Sequence, residues 1–246
     1  MNNCILELTL KFEEISKRGW IESVSKGPAG GGHTFEKLIG KEIENFEIPD
    51  YGNIEIKTKS AAVNHYINMF SATPDGTYMF EIKRLYNKYG YPNKKNKSYK
   101  SFNISVLANE FTPLSTRYLF RLKVDIKDQK IFLCVFDIEM NLIEKTTFWS
   151  FELLKEKLYR KLKNLAVIET DYKKEKNIVY YKYKDIKFYN LKEFEHFINA
   201  IENGFIKINF KVGAYLTGIR RGQPHDHGTS FEINKNNLDK LYDDLK

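Results

Sequence analysis

Cysteine is scarce in this sequence of 246 residues, because only Cys4 and Cys134 are present and they stand far apart. Two distant cysteines lack the paired spacing with which thiolates bind a metal ion. Cys134 falls in an apolar stretch, so we expect a buried and unreactive thiol. The cysteine content therefore excludes a thiolate metal centre.

Long apolar runs, internal repeats and low-complexity tracts are also missing from the sequence. A transmembrane helix needs about 20 consecutive apolar residues. Nothing in the sequence resembles a signal peptide. We therefore expect a soluble, cytoplasmic protein that has no membrane partner.

Acidic residues are outnumbered, since 32 Asp and Glu stand against 40 Lys and Arg and give a net charge of +8. Such an excess of positive charge predicts an anionic partner. The apolar share of 42% is ordinary for a globular protein. The length allows either one large domain or two lobes.

The most informative stretch predicts a helix, a turn and a strand in succession. Apolar residues recur at helical spacing over 34–46, which places Thr34 as the helix cap and Glu36 in the first turn. The sequence Pro-Asp-Tyr-Gly-Asn at 49–53 has the composition of a turn. Residues 54–58 then alternate apolar and polar, as a half-buried strand does.

The alternation determines which polar side chains meet. Glu55 and Lys57 share one face of the strand, and Asp50 can lean towards Glu55 from the preceding turn. Adjacent carboxylates repel unless a cation or a proton lies between them. Mg²⁺ takes one or two carboxylates, several waters and a phosphate oxygen. The pattern is therefore typical of metal-assisted phosphodiester hydrolysis, with Lys57 orienting a metal-bound water.

A simpler interpretation of this pattern is an exposed strand with an ion pair across the pleat, because charged alternation is common in half-buried strands. The proline before Asp50, the helix that carries Glu36 and the basic remainder of the chain favour the nuclease interpretation.

Further segments could contact DNA. Residues 91–100 interleave lysines with tyrosines and can follow a phosphate backbone, where each neutralised phosphate releases counterions. Lys94 and Lys95 are its candidate contacts, and Lys59, directly after the predicted strand 54–58, is a third candidate. The glycine-rich segment 25–32 is interpreted as a loop, which either lets the backbone approach DNA or serves as a flexible connector.

Arginines and histidines gather between two predicted strands, 205–215 and 230–234. A two-stranded ribbon fits the major groove, where Arg donates two parallel hydrogen bonds to guanine and Asp can accept one from cytosine. The alternatives are a polar exposed turn, or a metal site on the two histidines, for which no further soft ligand stands nearby. The candidate DNA-reading residues are Lys211, Arg220, Arg221, His225, Asp226 and His227.

The rest of the chain predicts an α/β (α+β) protein. The predicted helices cover 4–17, 78–89, 149–162 and 191–203, with a closing helix around Leu238, Leu241 and Leu245. Further strands are predicted over 118–126, 130–138, 165–169 and 178–183. This order fits a mixed sheet flanked by helices.

Several short motifs follow one another in a definite order along the chain. They are Gly-Trp at 19–20, the glycine-rich loop, His-Thr-Phe-Glu-Lys-Leu at 33–38, Pro-Asp-Tyr-Gly-Asn-Ile-Glu-Ile-Lys-Thr at 49–58, Phe-Trp-Ser-Phe at 148–151, Gly-Ala-Tyr at 213–215 and His-Asp-His-Gly-Thr-Ser-Phe at 225–231. The ordered set resembles the MvaI/BcnI family of type II restriction endonucleases, which is itself similar to the MutH-like branch of the PD-(D/E)xK nucleases.

The resemblance implies a restriction-endonuclease-like fold whose two lobes form a DNA cleft. It also implies a Mg²⁺-dependent endonuclease that cuts double-stranded DNA within a short site, of the form CC-x-GG in known relatives. Matched motif to motif, Asp50, Glu55 and Ile56 become metal ligands and Lys57 positions the water. Glu36 matches an additional active-site carboxylate, and the His-Asp-His segment matches a DNA-reading part.

The resemblance further implies a monomer that nicks the two strands in turn, in the cytoplasm of a bacterial or archaeal cell. A cognate DNA methyltransferase is expected as a system partner without a stable complex. We divide the single unit 1–246 into a catalytic lobe, 1–169, with an inserted segment, 61–115, and a recognition lobe, 170–246. The alternatives are a MutH-like strand-specific nicking enzyme of mismatch repair and a non-catalytic DNA-binding module.

Overall fold

The computed structural model describes residues 3–27, 29–41, 48–60, 66–77 and 79–245. Its α-helices are α1 (Asn3–Lys17), α2 (Gly30–Leu38), α3 (Phe80–Tyr89), α4 (Phe151–Lys161) and α5 (Phe194–Glu202). Its strands are β1 (Ile21–Glu22), β2 (Ile54–Ser60), β3 (Tyr66–Ser71), β4 (Tyr91–Pro92), β5 (Lys100–Val106), β6 (Thr112–Leu114), β7 (Tyr118–Asp125), β8 (Lys130–Phe136), β9 (Leu142–Ser150), β10 (Asn164–Glu175), β11 (Ile178–Leu191), β12 (Ile206–Ala214), β13 (Pro224–Asp226), β14 (Ser230–Asn234) and β15 (Tyr242–Leu245). A 3₁₀ helix covers Lys235–Lys240.

The chain divides into two compact units. The first unit comprises 1–67, 158–192 and 241–246, and the second comprises 68–157 and 193–240. This division differs from the predicted boundary after residue 169, because β10 runs through that position and pairs with β2 and β11 of the first unit.

The first unit is built on a mixed five-stranded sheet. Its strand order is β1-β11-β10-β2, and β15 pairs with β11. The pair β2–β10 is parallel, while β11 is antiparallel to β1, β10 and β15. Among the described strands, β2 therefore forms one edge of this sheet.

One face of this sheet is covered by helices. Leu8, Phe12 and Ile15 recur at helical spacing on α1 and are buried, so α1 lays one apolar stripe on the sheet. Ile54 and Ile56 of β2 belong to the same hydrophobic cluster as Leu8 and Phe12. Glu55 and Lys57 alternate with these isoleucines and lie on the opposite face.

The second unit contains two sheets. One has the order β3-β14-β12-β5-β4, with β13 beside β12, and the other has the order β6-β7-β8-β9. Its core is aromatic: the Phe70 and Phe231 rings stack with centroids 4.9 Å apart, and Trp149 meets Phe231 edge-on at 5.8 Å. The Trp149 ring N–H donates to the carbonyl of Ala72 at 3.1 Å, which satisfies its polar atom.

The start of α2 differs from the prediction. The helix begins at Gly30, inside the segment predicted as a loop, so Glu36 is not in its first turn. Thr34 is not a cap, because its hydroxyl donates to the carbonyl of Gly30 at 2.7 Å within the helix. The glycines are needed for packing, since a Cβ on Gly30 would lie 2.7 Å from Ser23 Oγ and one on Gly31 would lie 3.2 Å from the Tyr181 ring. The predicted end of this helix, 42–46, lies outside the described residues.

The predicted closing helix is wrong. The 3₁₀ helix ends at Lys240, and β15 follows with Tyr242 opposite Leu191 of β11. Leu238 and Leu241 are buried, as their spacing suggested, but Leu245 lies on a strand and is 39% exposed. Pairing with β11 satisfies the backbone of this segment, and it outweighs the helical periodicity of three leucines.

The other predicted elements are present with shifted ends. Strands β7 and β8 pair as an antiparallel hairpin, as the predicted strands 118–126 and 130–138 around residues 127–129 suggested, and Cys134 is buried in β8. Strands β10 and β11 continue well beyond the predicted ranges and pair over most of their length. Among the described residues, no helix is long and apolar enough to cross a membrane.

Candidate active site and nucleic-acid interface

A tight turn positions Asp50 beside the edge strand. Tyr51 and Ile54 exchange backbone hydrogen bonds of 2.9 and 2.8 Å, and Gly52 between them has a φ of +56°. A Cβ on Gly52 would lie 2.7 Å from Cys4 Sγ, so both the backbone conformation and the packing favour glycine there. The turn brings Asp50 Oδ2 to 2.9 Å from the N–H of Ile56, which donates to it.

The Asp50 carboxylate is held in its ionised form. Its Oδ1 accepts a hydrogen bond from Lys41 Nζ. Burial raises the pKa of Asp50, but the hydrogen bonds from Lys41 and from the Ile56 N–H, together with the charges of Lys41 and Lys57, outweigh it, so the pKa is lowered from its ordinary value. Asp50 therefore carries its negative charge at neutral pH.

Glu55 is a fully buried carboxylate that meets two lysines. Lys57 Nζ lies 2.6 Å from Glu55 Oε1, and Lys161 Nζ, at the last residue of α4, lies 3.2 Å from the same oxygen. The other oxygen, Oε2, is buried and accepts no hydrogen bond from any described residue. A buried acceptor without a partner costs free energy, so this oxygen is available to a ligand.

The pKa of Glu55 is shifted in the opposite direction to that of Asp50. Burial raises the pKa of Glu55, the charge of Lys57 lowers it and the charge of Asp50 raises it, with a raised pKa as the result. The hydroxyl of Tyr242 on β15 is also buried without a described partner, and burial and then the charge of Glu55 raise its pKa. A cation beside the two carboxylates would relieve this repulsion.

Glu36 approaches the strand from the other side. Helix α2 packs on the face of β2 that carries Ile54 and Ile56. Glu36 Oε1 and Thr58 Oγ1 lie 3.7 and 3.5 Å from the position that a Cβ atom on Gly32 would occupy. Glu36 and Thr58 therefore both border Gly32, and the assignment of Glu36 to the active site stays a prediction.

The donor set suits an oxygen-binding cation rather than a zinc-like one. Within the described part of the chain, no three His, Cys, Asp or Glu side chains gather closely enough to hold a metal ion. Asp50 and Glu55 provide two carboxylates, of which Glu55 offers an unpartnered oxygen. The Ile56 N–H points to Asp50 and not to β10, and the C=O of a strand residue points to the same side as its N–H. Two carboxylates and one carbonyl fit Mg²⁺, which keeps several waters.

The predicted phosphate contacts lie on two different elements. Lys59 is half-buried on β2 and lies opposite Glu169 of β10. Lys94 and Lys95 are exposed in the loop between β4 and β5. Asn93 orders this loop, because its side-chain carbonyl accepts hydrogen bonds from the N–H groups of Lys95 and Asn96 at 2.8 and 3.1 Å.

The histidines lie on a two-stranded ribbon formed by β12 and β13, in which Gly213 pairs with His225. The rings of Tyr215 and His225 stack with centroids 4.2 Å apart, and His227 lies at the same distance from His225. A Cβ on Gly213 would be 3.5 Å from the His227 ring. Beside the stack, a cavity of about 270 Å³ is lined by these aromatic residues and by Tyr99.

Asp226 has a structural part in this ribbon. Its carboxylate accepts hydrogen bonds from the N–H groups of Gly228 and Thr229 at 2.9 and 3.3 Å, and from the Thr229 hydroxyl at 3.1 Å. These bonds close the turn that follows β13. The predicted contact of Asp226 with cytosine stays a prediction, as do the base contacts of the two histidines.

The basic residues of the ribbon are placed differently from one another. Lys211 Nζ lies 3.0 Å from Glu232 Oε1, so an acidic neighbour partly neutralises it. Arg221 Nε donates to Tyr99 Oη at 3.0 Å, which links the ribbon to the loop of Lys94 and Lys95. Arg220 is exposed, with its guanidinium 5.8 Å from the Tyr215 ring centre.

Three contacts of the site were missed by sequence reasoning. Lys41 follows a helix and Lys161 ends another, and helix ends commonly carry lysines for reasons of the helix dipole alone. Tyr99 stands in the segment of interleaved lysines and tyrosines, which did give a signal, but its pairing with Arg221 over 122 positions is a tertiary contact.

Asp50, in the turn before β2, and Glu55 and Lys57, on β2 itself, thus lie next to one another as the sequence motif predicted. The model of the MvaI/BcnI restriction endonuclease family matches residues 9–242. The protein belongs to this family of DNA-cleaving enzymes. No curated protein matches the chain.

Two solved structures are similar over the full length. One is restriction endonuclease MvaI in complex with its cognate DNA substrate, with 32% sequence identity, a TM-score of 0.90 and coverage of 100% of this chain and 98% of that chain. The other is restriction endonuclease MvaI in the absence of DNA, with 30% identity, a TM-score of 0.63 and the same coverage. Both support the restriction-endonuclease fold predicted from the sequence.

Proposed function

We propose that the protein is a Mg²⁺-dependent type II restriction endonuclease that hydrolyses phosphodiester bonds of double-stranded DNA within a short specific site. The observation that carries the proposal is the Glu55 carboxylate, which is fully buried, touches two lysines and keeps one oxygen without a described partner. An arrangement that served stability alone would be expected to satisfy both oxygens.

The two carboxylates have separate tasks in the proposed reaction. Asp50 is ionised and fixed by the Ile56 N–H, so it presents a charged oxygen beside the strand. Burial and the charge of Asp50 raise the pKa of Glu55 despite its two lysine neighbours, and binding of Mg²⁺ would favour its charged form. When bound by these two carboxylates, Mg²⁺ would supply an activated water and would stabilise the charge that develops on the phosphate.

Lys57 is the residue that orients the attacking water in this proposal. Its ammonium lies 2.6 Å from Glu55 and the side chain is 25% exposed, so it reaches both the carboxylate and the solvent. An ammonium beside the water can donate a hydrogen bond to it and favours loss of its proton by electrostatic attraction. Lys161 forms an ion pair with the same Glu55 oxygen, and in this proposal it holds the carboxylate in place while Lys57 donates a hydrogen bond to the water.

The ribbon of β12 and β13 is the proposed DNA-reading element. It presents His225, His227 and Arg220, together with Arg221, and a two-stranded ribbon fits the major groove. We propose a recognition site of the CC-x-GG type on the basis of the family. A monomer that cuts the strands in turn, a cytoplasmic location and a cognate methyltransferase complete the proposal.

Digestion of a supercoiled plasmid by the purified protein tests this function. We expect linear DNA in the presence of Mg²⁺ and intact plasmid in EDTA, and sequencing of the cut ends gives the site and the cut position. Accumulation of nicked circles without linear product would favour the MutH-like alternative. Tight DNA binding without cleavage at any Mg²⁺ concentration would overturn the proposal in favour of a binding module.

A further inference from the structure

The loop between β12 and β13 holds two large apolar side chains out in solvent. Ile219 is fully exposed, at 103% of its reference area, and Leu216 is 67% exposed. A soluble protein exposes scattered apolar residues without consequence. Ile219, however, lies at the tip of the ribbon whose stem carries the histidines, and Leu216 lies at the base of the same loop, next to Tyr215.

Backbone hydrogen bonds define the conformation of the tip. The N–H of Arg221 donates to the carbonyl of Gly218 at 3.1 Å, which makes Ile219 a central residue of a β-turn. Tyr215 and Gln223 close the base of the loop, with the Tyr215 N–H donating to the Gln223 carbonyl at 3.0 Å and a second bond running from the Gly222 N–H to the Tyr215 carbonyl at 2.8 Å.

The residues next to Ile219 favour a partner that is anionic and also offers apolar surface. Arg220 and Arg221 follow Ile219 directly and are exposed. Gly218 and Gly222 have no Cβ and, with φ values of +75° and +83°, allow the backbone to approach a large ligand closely. The DNA duplex combines phosphates that pair with arginine and stacked bases that can cover an aliphatic side chain.

We propose that Ile219 enters the base stack of bound DNA as a wedge and unstacks one base step. The inference rests on the proposed function in one respect, since it takes double-stranded DNA as the ligand. An apolar wedge gains affinity from burial and releases no counterions. Removal of its side chain should therefore weaken binding about tenfold or more without changing the salt dependence of the binding constant.

The chain offers a closely matched control. Ile126 and Lys127 occupy the tip of the β7–β8 hairpin as an isoleucine followed by a cation, and Ile126 is 65% exposed. A general effect of removing an exposed isoleucine from a hairpin tip would appear in both Ile126→Ala and Ile219→Ala.

The experiment uses a duplex selected from random sequences by binding to the wild-type protein in Ca²⁺. The duplex carries 2-aminopurine at each position in turn, because this base brightens when it unstacks. We expect the wild-type protein and Ile126→Ala to brighten the probe at one step and Ile219→Ala not to do so. Ile219→Leu, which keeps the aliphatic volume, should restore both the signal and the affinity.

The inference is overturned if Ile219→Ala binds and brightens the probe as the wild-type does, or if no position brightens with the wild-type protein. It is also overturned if the loss in Ile219→Ala comes with a smaller salt dependence, since that would indicate a phosphate contact. Cleavage is scored separately: failure to cut the bound duplex in Mg²⁺ counts against the proposed function and not against the wedge.

Discussion

At the scale of single residues, the proposed active site contains two neighbouring carboxylates whose pKa values are shifted in opposite directions. Asp50 has a lowered pKa and Glu55 a raised one, although both lie at the edge of the same strand. Burial is the largest influence on each. At Asp50 the effect of burial is offset by the hydrogen bonds from Lys41 and from the Ile56 N–H. At Glu55 the charge of Asp50 raises the pKa further.

Removal of Lys57 should abolish cleavage while leaving DNA binding largely intact. Lys57→Ala deletes the ammonium beside Glu55, and we expect the cleavage rate to fall by a factor of about a thousand, as losses of other groups that stabilise a developing charge do. Asp50→Ala should behave in the same way. Single-turnover digestion in Mg²⁺ and filter binding in Ca²⁺ measure the two properties.

Lys173→Ala is the control for this pair of variants, since Lys173 is a lysine of the same unit whose ammonium contacts Glu175 and the rings of Trp20 and Tyr180. A folded Lys57→Ala protein that cuts plasmid at the wild-type rate would contradict the assignment of Lys57.

Lys161 should affect the cleavage rate through its ion pair with Glu55 and not through a contact with DNA. Lys161→Met removes one of the two charges at Glu55 Oε1 and leaves a buried carboxylate with less compensation. We expect cleavage to slow about tenfold, which corresponds to about 1.4 kcal/mol, with Lys161→Arg close to the wild-type. Normal cleavage by Lys161→Met, at normal stability, would show that Lys57 alone is sufficient.

Sequence reasoning reached part of this site for a clear reason. The positions of Asp50, Glu55 and Lys57 follow from a turn and from strand alternation, which are local rules. Lys41 and Lys161 reach the same carboxylates from segments 9 residues and more than 100 residues away. Their contacts depend on the packing of whole elements, which no local pattern encodes.

At the scale of elements, local propensity failed where packing demanded something else. Gly30 and Gly31 have low helix propensity, yet α2 begins with them. Glycine is required at these positions because a Cβ atom would come too close to Ser23 and to the Tyr181 ring. The leucines around Leu241 have helical spacing, yet the segment forms β15 because β11 offers it an unpaired edge. The hairpin of β7 and β8 was predicted correctly because its turn and alternation agree.

Strand β14, which pairs with β12, carries a carboxylate whose contribution to the stability of the folded state should depend on pH. Glu232 on β14 accepts hydrogen bonds from Asn209, Lys211 and Ser230. Burial raises its pKa, but these hydrogen bonds outweigh burial and lower the pKa from 4.5 to about 2. A lowered pKa means that the ionised form stabilises the folded state, so this stabilisation is complete above about pH 4.5 and is lost as the pH falls towards 2.

Glu232→Gln should therefore be less stable than the wild-type at pH 7, by no more than about 3 kcal/mol. The difference should shrink as the pH is lowered from 4.5 towards 2, because the wild-type then loses the same charge. Urea unfolding at several pH values measures it, with the exposed Glu195→Gln on α5 as control. A difference that stays constant down to pH 2.5 would mean that packing, and not charge, is responsible.

At the scale of the whole molecule, the net charge of +8 acts on DNA without reading its sequence. Part of the positive charge is already neutralised within the protein, as the pairs Lys211–Glu232 and Lys57–Glu55 illustrate. Arg220, Lys94 and Lys95 are exposed on the loops of the second unit and are better suited to phosphate contact than an average lysine in the sequence. Composition predicted the class of partner, whereas only the structure separates charges that are engaged from those that are exposed.

The affinity for DNA should fall steeply with salt, and single basic residues should contribute measurable parts of the slope. Each phosphate contact adds about 0.9 to the slope of log K against log of salt concentration, because a neutralised phosphate releases counterions. We expect Arg220→Ala to reduce the slope by about 1 and Lys127→Ala, the corresponding cation at the β7–β8 tip, to leave it unchanged. Titrations from about 50 to 200 mM salt, in Ca²⁺ so that the DNA is not cut, cover the useful range. A variant of Arg220 that weakens binding equally at every salt concentration would contradict this prediction, because it would show that the arginine contacts bases and not phosphate.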